Sequence, residues 1–247
     1  MTTWVTRLIV MNVVMFLLTL VRPALKEAFA FVPALILERP WTMFTYMFLH
    51  ADLPHIAFNM LGLLFFGPRL ETFLERNRFL MLYFISGLIA ALLSSILSPH
   101  VAIIGASGAV YGVFLGFARY WPREIIRIWG IIPIEARWMV VLMTFLSLYG
   151  GFGFSGDNIA HFAHLGGFVG AYLYLRWLER SLSQRTSHSP AATQLTKGDV
   201  ERWSKIDREQ LHEVNREELD RIRKKIEGQG AASLTEIERQ FMNRFSQ

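Results

Sequence analysis

From Leu8 to Leu178 the chain is a succession of long apolar runs separated by polar connections, and from Ser181 onward it is densely charged. A helix that crosses a bilayer needs about 20 mostly apolar residues, since the hydrocarbon core is about 30 Å thick. Six segments reach or approach that length, at about Trp4–Val21, Pro54–Leu70, Phe79–Leu97, Ile103–Trp121, Trp138–Phe154 and Ile159–Leu178. Hydrophobic residues make up 53% of the chain, above the roughly 45–50% of soluble domains, and the excess is confined to this part. The sequence therefore predicts an all-α polytopic membrane protein. Residues 1–180 would form a domain of six transmembrane helices, and residues 181–247 a soluble, charged, helical tail.

The first segment reads as a span. Ala28-Phe29-Ala30 is a faint signal-peptide cleavage pattern, but Lys26 and Glu27 crowd it. The connection Arg22–Ala51 is long and half apolar, which suits a loop lying in the membrane interface or dipping into the protein. Arginines concentrate on one side: Arg69, Arg76, Arg78, Arg119, Arg123, Arg127 and Arg137 fall in the loops that share a side with the N-terminus. The opposite side holds only Arg22, Lys26 and Arg39, and the short loops around Pro99 and Asp157 carry no Lys or Arg. Basic residues favour the cytoplasm, so both termini are expected there.

The tail from Ser181 holds 12 Lys/Arg and 11 Asp/Glu, a mixed-sign surface rather than a basic arm, so no nucleic-acid partner is expected. Val200, Trp203, Ile206, Leu211, Val214, Leu219, Ile222 and Ile226 form an imperfect amphipathic stripe that Gly228 and Gly230 should stop. Thr235 with Glu238 predicts a capping box for a last short helix. Ser181–Gly198, with Pro190, reads as a polar linker. The chain has no cysteine, which removes disulfides, thiolate metal sites and a cysteine nucleophile.

Polar side chains inside hydrocarbon are costly, so each is a functional candidate. His55 and Asn59 lie in the second predicted span, Ser107 in the fourth, and His161 and His164 in the sixth. These three spans enter from the same side, and the polar residues sit in their first turns, about 5–10 Å deep at 1.5 Å per residue. Ser107 lies in Gly105-Ala106-Ser107-Gly108, near a helix start where free N–H groups favour an oxyanion. Gly108, Gly112 and Gly116 on one helix, and Gly166, Gly167 and Gly170 beside His164, would let two helices pack closely enough for a Ser–His hydrogen bond.

Other proteolytic chemistries lack their residues. No lysine occurs in any span, the only aspartates before the tail are Asp52 and Asp157 at loop edges, and there is no His-Glu-x-x-His. No carboxylate is placed to orient His164, so a dyad fits better than a triad. His161 shares the face of His164 and is the alternative base, but His164 lies deeper, beside the glycines. His55 and Asn59 could instead satisfy each other or loop carbonyls. Trp41 and Trp138 read as interfacial anchors.

Three stretches resemble the rhomboid family of intramembrane serine proteases: Phe48-Leu49-His50-Ala51-Asp52-Leu53-Pro54-His55-Ile56-Ala57-Phe58-Asn59, Gly105-Ala106-Ser107-Gly108-Ala109-Val110-Tyr111-Gly112, and Ala163-His164-Leu165-Gly166-Gly167-Phe168. The resemblance covers Leu8–Leu178. It implies Ser107 as nucleophile and His164 as general base, with the Ser107 amide and the side chains of His55 and Asn59 as the oxyanion hole. It further implies that Tyr111 packs on the His164 ring, that His50 is structural, and that Glu71 closes the second helix. One departure is Trp41-Thr42, where the family often has Trp-Arg, so the loop contacts of that arginine are missing.

The expected function is an endopeptidase that cleaves transmembrane segments of other membrane proteins near the outer face, through an acyl-enzyme and without metal or cofactor. Its expected setting is a bacterial inner membrane. The competing readings are a catalytically silent relative that binds membrane clients, and a small transporter, which would need charges near the bilayer midplane.

Overall fold

A computed structural model of the chain describes residues 2–97, 99, 101–128, 130–152, 161–187 and 197–246. The chain divides into two compact units: residues 1–71 with 76–175, and residues 72–75 with 176–247.

The first unit is helical because apolar chain in hydrocarbon must satisfy its own backbone. α1 spans Thr3–Val21, the short α2 Ala24–Phe29 and the single turn α3 Thr42–Thr45; α4 spans Leu53–Leu74, α5 Arg76–Leu97, α6 Ser107–Tyr120 and α7 Ala136–Gly151. α8 spans His161–Ser187 and runs out of this unit into the second. Among the described residues, only α1 and α5 are individually long and apolar enough to cross a membrane; Thr42–Phe48 with α4, bent by 94°, would make a third candidate, and α7 is a shorter apolar helix. Their outward faces stay apolar, as lipid contact requires: Val10, Val14 and Leu17 on α1, Phe65 on α4 and Phe145 on α7 are exposed.

Two departures from the sequence reading concern what hydropathy averages over. The fourth predicted span began at Ile103, but α6 begins at Ser107. Ile103 pairs instead with Phe31 in an isolated antiparallel bridge, with N···O distances of 2.8 and 3.1 Å. The all-α reading also missed a hairpin: β1, Ile125–Ile128, pairs antiparallel with β2, Ile132–Glu135, in the register Ile126↔Ile134. Gly130, φ +72°, serves its turn, and the β-branched residues around it were the available signal. The end of the fifth predicted span, the start of the sixth and the loop at Asp157 lie outside the described residues.

α1 and α4 run antiparallel and are joined at one end by a charge. The buried Glu71 carboxylate, on α4, accepts the amides of Trp4 at 3.1 Å and Val5 at 2.9 Å. These are orphan donors of the α1 N-terminus, where the helix dipole also favours an anion. α4 stops at Glu75, a non-glycine residue with φ +72°.

The second unit has its own core. α9, Lys197–Ser204, and α10, Glu213–Gln229, are separate helices rather than one stripe, and α11 spans Glu236–Phe245. Trp203, Ile206, Leu219 and Ile222 of the stripe are buried, with Leu234, Ile237, Phe241 and Met242, while Val200 is exposed. The Val214 side chain and Pro190 lie outside the described residues. Gly230, φ +77°, ends α10, and Thr235 and Glu238 form a reciprocal capping box. Glu238 is also held by Arg221 and Lys225, each at 2.7 Å. Arg244 donates to the Thr72 carbonyl at 2.7 Å and to Glu75 at 3.0 Å.

Candidate active site

Ser107 opens α6, and the loop before it is pinned twice to the Phe29–Phe48 segment. The Phe31–Ile103 bridge is one pin; the Gly105 amide, which donates to the Tyr46 carbonyl at 2.9 Å, is the other. Tyr46 is fixed in turn by its hydroxyl, which donates to the Gly87 carbonyl on α5 at 2.7 Å. Gly105 has φ +120°, a conformation that L side chains rarely adopt. As the first helical residue, Ser107 has an amide with no partner within the helix, and it stands at the positive end of the dipole.

His164 lies in the first turn of α8, and its Nε2 is 2.8 Å from Ser107 Oγ. Glycines permit this. A β-carbon on Gly167 would collide with the Gly108 carbonyl oxygen, and one on Gly108 would stand 2.5 Å from the Ala90 methyl on α5. Gly166 faces the backbone of α5, where a β-carbon would lie 2.6 Å from Ala90 Cα. α8 thus meets α6 and α5 almost backbone to backbone.

Tyr111, one turn into α6, stacks on the imidazole with ring centroids 4.2 Å apart and planes 16° apart. The stack limits the ring to one plane and leaves its edge toward Ser107. His161, the alternative base, packs instead against Gly150 of α7, and its ring meets His164 edge-on at 6.1 Å.

The start of α4 supplies the other polar groups. Asp52 Oδ1 caps the helix by accepting the His55 amide at 2.8 Å. His55 Nδ1 accepts the Ala51 amide over a long 3.4 Å, which leaves the ring proton on Nε2. That Nε2 lies 2.6 Å from where a Gly105 β-carbon would stand, and Ser107 Oγ lies 3.8 Å from the same point. His55 therefore presents its donor beside the Ser107 hydroxyl, and Gly105 must lack a side chain for it to do so. Asn59 is buried and its Nδ2 donates to the His55 carbonyl at 2.8 Å, so one of its two N–H groups is already engaged within the helix. His50 is fully buried and meets the His55 ring edge-on at 4.9 Å.

Sequence reasoning missed Tyr46 and Asp52. Asp52 had a signal, since an Asp three residues before a histidine at a helix start is a capping pattern. Tyr46 had none, because its role depends on a carbonyl contacted 59 residues later. At the departure from Trp-Arg, Thr42 is buried and donates to the Arg39 carbonyl at 2.6 Å, while Trp41 bonds the Ala28 carbonyl through its indole N–H at 3.2 Å. Among the described residues no three His, Asp or Glu side chains converge on a metal-sized point.

The family model of the Rhomboid domain matches residues 37–181, more than half of the chain. The chain is 34% identical over 133 residues to RHOMBOID-like protein 1 of Arabidopsis thaliana, covering 54% of this chain and 33% of that protein. It is 31% identical over 144 residues to Rhomboid-like protease 3 of Toxoplasma gondii, covering 57% and 52%. It is 32% identical over 132 residues to Rhomboid protease GluP of Bacillus subtilis, covering 53% and 25%. The chain thus spans from a quarter to about half of the length of these three relatives.

Proposed function

The chain belongs to the rhomboid family and is an integral membrane protein, and on that premise we propose that it is an intramembrane serine endopeptidase acting on transmembrane segments of other proteins. The observation that carries this reading is the 2.8 Å approach of Ser107 Oγ and His164 Nε2 across two glycine-faced helices. A hydroxyl needs a base within hydrogen-bond reach to become a nucleophile, and a distance of about 2.6–3.2 Å meets that need.

In the reaction, Ser107 Oγ attacks the scissile carbonyl while its proton passes to His164 Nε2. The carbonyl oxygen takes the negative charge, and the Ser107 amide, the His55 Nε2–H and the second Asn59 N–H face it. His164 returns the proton to the leaving amine. A water then attacks the acyl-enzyme, giving up a proton to His164; His164 passes that proton to Ser107 Oγ as the acyl–Oγ bond breaks, which releases the carboxyl product and restores the serine hydroxyl. Each oxyanion donor of this kind is worth about 10²–10³-fold in rate.

The dyad stands at the entry turns of α6 and α8, where water can reach it, so substrates are cut near one membrane face. In the proposed topology residues 1–180 hold six spans, both termini lie in the cytoplasm of a bacterial inner membrane, and the serine faces outward. Residues 181–247 form the soluble tail, whose partner no feature identifies. Fluorophosphonate labelling tests the reading: the wild type should label at Ser107, and Ser107→Ala and His164→Ala should neither label nor cleave a transmembrane substrate. Turnover retained by either variant would refute the dyad.

A further inference from the structure

A recess lies on the lipid-facing side of α1, and neither Ser107 nor His164 lines it. It is an apolar groove of about 410 Å³, lined by Met11, Val14 and Met15 of α1 and by Phe29, Thr45 and Phe48. Its polar side chain is already satisfied, since Thr45 Oγ1 donates to the Phe29 carbonyl at 2.9 Å. What fills the groove must therefore be hydrocarbon.

Depth and charge narrow the choice. Glu71 holds the beginning of α1, so Arg22, at the other end, lies on the membrane side where α4 carries His55. Met11–Met15 precede Arg22 by 7 to 11 residues, about 10–17 Å at 1.5 Å per residue. One leaflet of hydrocarbon is about 15 Å deep. Arg22 is exposed and caps the end of α1, seven and eight residues beyond Met15 and Val14. Lys26 precedes Phe29 by one turn of α2; its ammonium donates once, to the Ala51 carbonyl at 3.1 Å, which leaves two N–H groups. Glu27 is exposed on α2 beside Lys26 in sequence, about 100° around the helix.

We propose that this groove is a phospholipid site, with one acyl chain against Met11, Val14 and Phe48 and the phosphate against Arg22 and Lys26. The wall opposite α1 is the segment that pins the loop before Ser107, through Phe31–Ile103 and Tyr46–Gly105. A seated lipid braces that segment and so the nucleophile. The bracing consequence rests on the proteolytic reading; the binding site does not.

The test uses the full chain, stripped of lipid in detergent and titrated with phosphatidylglycerol, with bound lipid read by native mass spectrometry. One tightly held molecule is expected. Arg22→Ala with Lys26→Ala, and separately Val14→Trp, should each weaken it about tenfold, and diacylglycerol with the same chains should bind about tenfold more weakly. Wild-type binding in either variant, or diacylglycerol bound as tightly, overturns the site. Should Val14→Trp fail to fold, the double charge variant decides alone. Fluorophosphonate labelling should rise with lipid occupancy. Tight lipid binding with no labelling of the wild type would remove the proteolytic reading and leave the lipid site standing; labelling indifferent to occupancy would remove the bracing.

Discussion

Gly167 and Gly108 pack backbone to backbone, with no room between them for a single methyl group. Ser107 and His164 each sit within three residues of this contact, so it sets their separation. Gly167→Ala should push α8 from α6, cost about 1–3 kcal/mol of stability, and abolish labelling of Ser107. A thermal melt and a labelling gel on the same sample check both.

The Tyr111–His164 stack makes a different prediction, because it orients the imidazole without bonding to either ring nitrogen. Such a pair is worth about 0.5–1.5 kcal/mol. Tyr111→Phe should keep most activity, while Tyr111→Leu should lower kcat by about three- to tenfold with KM little changed. Equal loss in both variants would mean that the hydroxyl matters rather than the ring.

Glu71 joins α4 to the α1 N-terminus by accepting two amides. Glu71→Gln keeps the shape but removes the charge and turns N–H donors toward N–H donors. A loss of about 1–3 kcal/mol is expected, read as a lower melting temperature at neutral pH.

In the second unit, burial alone would raise the Glu238 pKa, but the Lys225 ammonium, the Thr235 amide and the Arg221 guanidinium together hold it below the ordinary carboxylate value. A lowered folded pKa means that the unfolded chain binds the proton more readily. The stabilisation is therefore complete above the unfolded value of about 4.3 and is lost as pH falls through the folded value. Hydrogen exchange of α11 in the full chain should speed up on acidification over that range, relative to α5. Glu238→Gln should be less stable at pH 7 and lack the acid step.

How far the sequence carried the interpretation differs between residues for physical reasons. Polar side chains in apolar runs stand out because hydrocarbon penalises them, and glycines beside Ser107 and His164 announce close approach; the 2.8 Å contact lies where both signals meet. The Thr235–Glu238 box is local and was readable for that reason. The start of α6 was not. Ile103 is as apolar as any helical neighbour, and only its hydrogen bonds to Phe31, 72 residues earlier, take it out of the helix. The tail stripe failed similarly: its spacing is helical on both sides of a break between Ser204 and Glu213 that the apolar positions step over.

The matched family segment begins at residue 37, whereas Glu71 spends its carboxylate on Trp4 and Val5 and Ile103 pairs with Phe31. Cutting the chain back to the shared segment would strand an anion in the interior and detach one of the two tethers on the loop before Ser107. The boundary of recognisable ancestry is therefore not the boundary of the working part, and α1 belongs inside any minimal version of this protein.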